Sequence, residues 1–296
     1  MLLDSHCHLQ FNSYKDDFNE VISRCEEKGV IMNVVGTQKD TSKKALELAK
    51  KYENVYATIG IHPIHLFKSH VDEDEASFIS HEESFDEGFY SELARSEKVI
   101  AVGEIGLDLF HLPKDVETCR DLSREEVLER QKKIFTEQYH FAVKNNLPVV
   151  IHVRDPEKEP NGSLGASAHQ EMIKLLKSFD QPIRGVVHCY TSTWEDAKQY
   201  LELGLHLGFT GIITFPKKKT KSEEQESLLG VVRNCPLDRI LTETDAPYLA
   251  PQRYRGEKCE PWMVEEVVNQ IAEERELAYE EVENQVEKNF RKLFLN

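Results

Sequence analysis

Short runs rich in Val, Ile and Leu, without strict polar alternation, recur along the chain and are separated by longer amphipathic segments. Strands buried on both faces of a parallel sheet carry this pattern, because helices cover either side and neither face is left to water. Eight runs predict strands: Leu2–His6, Val30–Gly36, Val55–Ile61, Val99–Ile105, Pro148–Val153, Gly185–Cys189, Leu205–Phe209 and Ile240–Thr244. Between them, amphipathic spacing predicts helices over Asp16–Lys28, Thr41–Lys51, Ser123–Asn145, Ala166–Phe179, Thr193–Leu203 and Glu223–Asn234. Ser123 followed by Glu126 has capping-box spacing, and Asn145-Asn146-Leu147-Pro148 is a helix stop ahead of the next strand. The last amphipathic stretch, Pro261–Leu295, is expected to close the structure from outside. No Gly-rich phosphate loop follows an early strand, so the expected class is α/β, a (β/α)8 TIM barrel, with an open doubly wound sheet as the alternative.

Length agrees with one such barrel: the 296 residues are expected to form a single domain, 1–296. Segment 66–97 reads as an acidic insertion after the third strand, with a helix of its own at Glu87–Arg95. Hydrophobic residues at 40% and charged residues at 30% support a packed core over a disordered chain. No apolar run reaches membrane-spanning length. The opening Met1-Leu2-Leu3-Asp4-Ser5-His6 brings charge too early for a secretory leader, so a cytoplasmic location, with the nucleus open, is expected. The six cysteines form no C-x-x-C pair and are expected as reduced thiols. A net charge of −16 argues against coating nucleic acid through a general basic surface. Locally the sign varies: nine carboxylates and no Lys or Arg lie between Asp72 and Glu92, whereas Lys217, Lys218, Lys219 and Lys221 form a basic run.

In a parallel barrel the active site is built at the C-terminal strand ends. There the chain places Asp4-Ser5-His6-Cys7-His8, Gly60-Ile61-His62-Pro63, Gly103-Glu104-Ile105-Gly106-Leu107-Asp108, Ile151-His152-Val153-Arg154-Asp155, Val187-His188-Cys189-Tyr190 and Glu243-Thr244-Asp245-Ala246-Pro247. His6 and His8, two apart on a strand, share a face at a backbone separation of roughly 7 Å. A lone His-x-His is ordinarily a surface accident, but here Glu104, His152, His188 and Asp245 occupy equivalent positions. Buried ionisable groups are costly without a metal or a partner, so their convergence predicts a metal centre. Mixed imidazole and carboxylate ligands suit Mg, Mn, Zn or Co. Six ligands exceed the set of one catalytic zinc, so two ions per chain are expected, with Glu104 as the bridge. His6, His8 and Asp245 are assigned to one ion, and His152 and His188 to the other. Asp245 is the candidate general base. Arg154, two after His152, is assigned to a substrate phosphate, as are His62, Arg253, Lys217 and Lys218 on the same rim, where Arg255 also lies. His65 is expected as a loop residue, Phe215 and Tyr248 as packing residues with stacking on a base as the alternative, and Cys7 and Cys189 as packing residues alternating to the opposite face.

These stretches, with Asp245-Ala246-Pro247-Tyr248-Leu249-Ala250-Pro251, resemble the TatD family of metal-dependent deoxyribonucleases in the amidohydrolase superfamily. The resemblance runs in order from residue 1 to about 295. It implies an amidohydrolase-like TIM barrel, a metal centre on the residues above, and hydrolysis of DNA phosphodiesters, commonly from 3′ to 5′. The chain departs from that pattern at Cys259, where such proteins usually carry Asn before Glu-Pro, and at Tyr190, where the aromatic is usually Phe. The segment at 66–97 and the loop Pro156–Gly165 are longer than in compact bacterial members.

DNA, as single strands or 3′ ends, is therefore the expected partner, with no membrane and a monomeric chain. Two other classes compete. An amidohydrolase or esterase acting on a small molecule or aminoacyl group has the same barrel, but a related branch of the superfamily bridges its metals with a carboxylated lysine where this chain has Glu104. A metal-bound, non-catalytic interaction protein is the other, and the intact ligand set weighs against it.

Overall fold

A computed structural model describes residues 1–67, 82–112, 122–156, 167–216 and 222–295. Eight parallel strands follow one another around a single sheet in chain order: β1 (Leu3–Cys7), β2 (Ile31–Val35), β3 (Val55–Ile59), β4 (Val99–Asp108), β5 (Val149–Arg154), β6 (Gly185–Val187), β7 (His206–Phe209) and β8 (Ile240–Thr242). The last strand returns to the first. Thr242 Oγ1 donates to Leu3 O at 2.8 Å, Asp245 N to His6 O at 2.9 Å and His8 N to Ala246 O at 2.7 Å, and Cys7 bridges Ala246 in parallel. The sheet is thus a nearly closed TIM barrel. Val34, Ala57, Val102, Ile151, Val187, Leu207 and Leu241 are all buried, as strands covered on both faces require.

The crossover helices are α1 (Phe18–Glu27), α2 (Lys39–Lys51), α3 (Glu87–Leu93), α4 (Arg124–Lys144), α5 (Ala168–Lys177), α6 (Trp194–Glu202) and α7 (Ser222–Asn234). The acidic stretch after β3 supplies α3 itself, while residues 68–81 lie outside the described residues, as do 157–166 in the β5–α5 loop. The capping box of α4 forms as expected: Ser123 Oγ accepts from Glu126 N, and Glu126 Oε2 accepts from Ser123 N at 2.8 Å. Among the described residues no helix is long and apolar enough to cross a membrane.

Three expectations need correction. The stretch Pro261–Leu295 holds two helices, α8 (Val264–Arg275) and α9 (Tyr279–Phe294), because Glu276 turns left-handed at φ 54°. β4 runs to Asp108, three residues further than expected, and its pairing with β5 carries Asp108 alongside Arg154. β6 and β8 stop at Val187 and Thr242, short of the expected Cys189 and Thr244. Cys189 (φ 45°) and Asp245 (φ 58°) are left-handed, a conformation that ends an extended run.

Helix α4 also fixes the mouth of the barrel. Gln138 accepts from Ile61 N at 2.8 Å and donates to Ile61 O at 3.1 Å; Gln131, two turns earlier, accepts from Asp108 N at 3.0 Å and donates to Asp108 O at 2.9 Å. Seven residues return a helix to nearly the same face, so the two amides clamp the chain where it leaves β3 and where β4 ends.

Candidate metal centre

Six side chains from five strand ends meet at the C-terminal mouth, and their backbone supports explain how. At β1, Asp4 accepts from His6 N (3.2 Å) and Thr244 N (2.9 Å), tying the His-x-His segment to the β8 end. Burial pushes the Asp4 carboxyl up to about 8, against the pull of the Thr244 hydrogen bonds. Gly106 lets β4 lie close against β5, since a Cβ there would meet His152 O at 1.8 Å.

In three histidines the ring nitrogen turned away from the cluster is held by an acceptor. His8 Nδ1 lies 2.8 Å from Val35 O, His188 Nδ1 2.9 Å from Glu243 Oε2, and His152 Nε2 3.2 Å from Asp108 Oδ2. A neutral imidazole that donates there presents a bare lone pair on its other nitrogen. These nitrogens face one another and the carboxylates. His6 Nε2 and His8 Nε2 are 3.2 Å apart, and His152 Nδ1 is 2.8 Å from Glu104 Oε1. Lone pairs so close require a proton or a cation between them, and the donor set fits a divalent metal.

Glu104 is the centre of the arrangement. Its Oε2 faces His6 Nε2 (3.4 Å) and His8 Nε2 (3.9 Å), and its Oε1 faces His152 Nδ1, His62 Nε2 (3.5 Å) and His188 Nε2 (3.8 Å). Asp245 Oδ1 stands 3.4 Å from His8 Nε2, 3.7 Å from His188 Nε2 and 3.8 Å from His6 Nε2. Among the described residues, donor atoms lie mutually within 4.8 Å in four groups: His6-His8-Asp245, His6-Glu104-His188, His62-Glu104-His152 and His188-Cys189-Asp245.

Electrostatics follow from this crowding. Burial raises the Glu104 carboxyl, but His62 and His6 outweigh it and hold the group well below the usual range; burial raises Asp245 too, and His188 and His8 outweigh it and lower that group. Burial lowers His152, yet its bonds to Asp108 and Glu104 carry it up to about 10, and Glu243 and Asp245 carry His188 up to about 9. His62 is different: burial takes it down to about 4. Its Nδ1 accepts from Ile64 N at 3.2 Å, which leaves the proton on Nε2, so the neutral ring donates into the site.

Other expected residues fall as follows. Arg154, at the end of β5, stacks its guanidinium 4.0 Å from the Phe110 ring centroid. Asp155 is occupied elsewhere, accepting from Ser167 Oγ at 2.9 Å. Arg253 is exposed and paired to Glu266 at 2.9 Å, while Arg255 stacks 4.1 Å over Phe215. Lys217, Lys218, Lys219 and Lys221 lie outside the described residues. Cys7 is buried with Sγ toward Asn33 O. Cys189, expected on the opposite face, instead brings Sγ into a donor group with His188 and Asp245, because its left-handed backbone breaks the alternation. Cys259 is buried, and its carbonyl accepts from Tyr14 Oη, so this departure from the usual Asn is absorbed into packing.

Sequence reasoning missed Glu243, Asp108 and Phe110. Glu243 accepts from His188 Nδ1 and, at 2.9 Å, from Cys189 N; its two-residue offset from Asp245 was the available signal. Asp108 likewise ends the quoted strand-four motif.

The sequence profile of the family described as TatD-related DNase matches residues 3–295. The uncharacterized metal-dependent hydrolase YabD of Bacillus subtilis (strain 168) is 33% identical, over 99% of this chain and 99% of that protein. The 3′-5′ ssDNA/RNA exonuclease TatD of Cronobacter sakazakii is 30% identical, over 99% of this chain and 98% of its own length. Among solved structures, YjjV, a TatD homologue from Escherichia coli K12, superposes with a TM-score of 0.76 at 26% identity, covering 100% of this chain and 98% of that one.

Proposed function

The chain belongs to the TatD-related DNase family of metal-dependent hydrolases, and from that premise we propose that it hydrolyses DNA phosphodiester bonds, releasing nucleotides from the 3′ ends of single strands. The observation that carries this reading is Glu104, whose Oε2 faces His6 and His8 while its Oε1 faces His152, His62 and His188. His6, His8 and Asp245 would hold one divalent ion, His152 and His188 a second, and Glu104 would be shared between them. When bound, two such ions supply Lewis acidity to the phosphate and acidify water.

The chain's own groups do the rest. Asp245, with Oδ1 turned to the imidazoles, takes the proton of the attacking water on its carboxylate. As the water oxygen bonds to phosphorus, the bond to the 3′ oxygen of the preceding nucleotide breaks, and that oxygen leaves with a proton taken from solvent, to which Asp245 later returns its own. His62 Nε2–H donates to a non-bridging phosphate oxygen, and the buried, neutral state of its ring keeps that proton in place across the neutral range. Arg154 positions the phosphate at the rim through its planar fork. Lys217 and Lys218 add positive charge from the β7 loop, whereas Arg253, tied to Glu266, is a weaker candidate than Arg255.

The test is single-stranded DNA labelled at either end, presented to protein stripped with EDTA and resupplied with Mg, Mn, Zn or Co one at a time. Products of the 5′-labelled strand should shorten one nucleotide at a time. Turnover of esters or cyclic amides, with DNA untouched under every ion, would replace this reading with the small-molecule one.

A further inference from the structure

Two guanidinium groups on the mouth of the barrel each lie over a phenyl ring. Arg154, the last residue of β5, sits 4.0 Å from the centroid of Phe110, which follows β4; the two segments are joined by Leu109 N donating to Arg154 O at 3.0 Å. Arg255, after β8, sits 4.1 Å over Phe215, which follows the helical turn Gly211–Thr214 after β7. These two loops are also joined, by Gln252 N donating to Thr214 Oγ1 at 2.7 Å. Both arginines are exposed and both phenyl rings half-buried. In the circular strand order the stacks flank β6, the strand that leads into His188.

A phenyl ring beneath a guanidinium fixes its plane and leaves one flat face and an in-plane row of N–H donors toward solvent. The edge suits a phosphate, and the face suits a nucleobase. A lysine offers only a point charge, so the planar group adds recognition of the base to attraction for the backbone. Bases inside a duplex have both faces covered by their neighbours, whereas unpaired bases have a face to give. Resting on the nucleic-acid reading above, we propose that Arg154 on Phe110 and Arg255 on Phe215 are two stacking platforms that grip unpaired bases on either side of the metal centre, so that the protein recognises bases as well as phosphates.

The test measures binding before chemistry. Fluorescence anisotropy in EDTA compares a labelled ten-nucleotide DNA with a strand of equal length and charge built from abasic units. The wild type should bind the base-bearing strand more tightly. The double variant Arg154→Lys/Arg255→Lys keeps both charges and removes both planes; losing the fork of Arg154 weakens the phosphate contact on both strands alike, so the base-bearing strand should lose about tenfold or more beyond the loss measured on the abasic strand. Phe110→Leu/Phe215→Leu, which removes the supports, should act in the same sense. Circular dichroism checks that each variant is folded, and the lysine variant, altered only at exposed positions, decides the matter if the leucine variant is not.

Equal affinity of the wild type for both strands, no binding of either, or an equal loss on both strands in the lysine variant overturns the platforms. The nuclease reading fails separately: base-dependent binding with no cleavage under any metal removes that reading and keeps the platforms, whereas cleavage without base preference does the reverse.

Discussion

Glu243 shows how much of a metal centre is decided by a residue that touches no ion. Its Oε2 accepts from His188 Nδ1 at 2.9 Å and its Oε1 from Ser5 Oγ at 3.3 Å, and its carboxylate occupies the space that Gly208 leaves open, where a Cβ would come within 2.2 Å. The bond to Nδ1 selects the tautomer and aims Nε2 at the cluster. Glu243→Gln should therefore lower metal affinity by about 10- to 100-fold, measured by competition with a fluorescent chelator, and Asp108→Asn should do the same through His152. Gly208→Ala tests the geometry without altering a polar group; unchanged affinity there would mean that the carboxylate is not held in place by that contact. At Glu104 the expectation is sharper, since both oxygens are engaged on opposite sides. Glu104→Gln should lower bound metal below two ions per chain by mass spectrometry and abolish hydrolysis with circular dichroism unchanged. Turnover equal to wild type at saturating metal would sink the shared-ligand arrangement.

Among the elements, α4 does more than cover the sheet. The backbone of Ile61 is buried beyond β3, where no ladder partner reaches it, and Gln138 satisfies both its N–H and its C=O. Gln138→Leu strands both groups and should cost roughly 2–4 kcal/mol of unfolding free energy, read from the fall in urea midpoint, with a further loss of activity because His62 is the next residue. A change below about 0.5 kcal/mol would show that water replaces the amide. This clamp marks the limit of what was legible in the sequence. The strands were readable because parallel strands covered on both faces must be apolar throughout, and the histidines and carboxylates were readable because they interrupt that rule at each strand end. Strand ends were not, because they depend on left-handed residues such as Cys189 and Asp245 that no hydrophobic period encodes. The same holds for Glu276, which separates α8 from α9 without Gly or Pro. Cys189 looked like a packing residue only under the assumption that alternation continued past Val187. Gln131 and Gln138 looked like ordinary helical polar residues, since nothing local tells a buried amide from a solvated one.

Across the whole molecule, a chain of net charge −16 has a potential that acid should relieve, yet one buried group works the other way far from the mouth. His206 opens β7 at the opposite end of the barrel, only 3% exposed, and burial, with Arg239 nearby, lowers its ring from the ordinary 6.5 to about 4. The unfolded chain thus takes up a proton near pH 6.5 that the folded chain refuses until about pH 4. Protonation then favours the unfolded state, so stability falls as pH drops through that window and levels off below it. Two and a half pH units correspond to roughly 3 kcal/mol. Carboxylates at the metal centre also lose stability in acid, so the measurement is a difference: urea unfolding of wild type and His206→Gln in EDTA at pH 7, 5.5 and 4. Glutamine is close in volume and does not titrate. The variant should lose less stability than wild type between pH 7 and 4, by an amount approaching that 3 kcal/mol. Parallel curves would mean that the folded barrel accommodates the His206 proton.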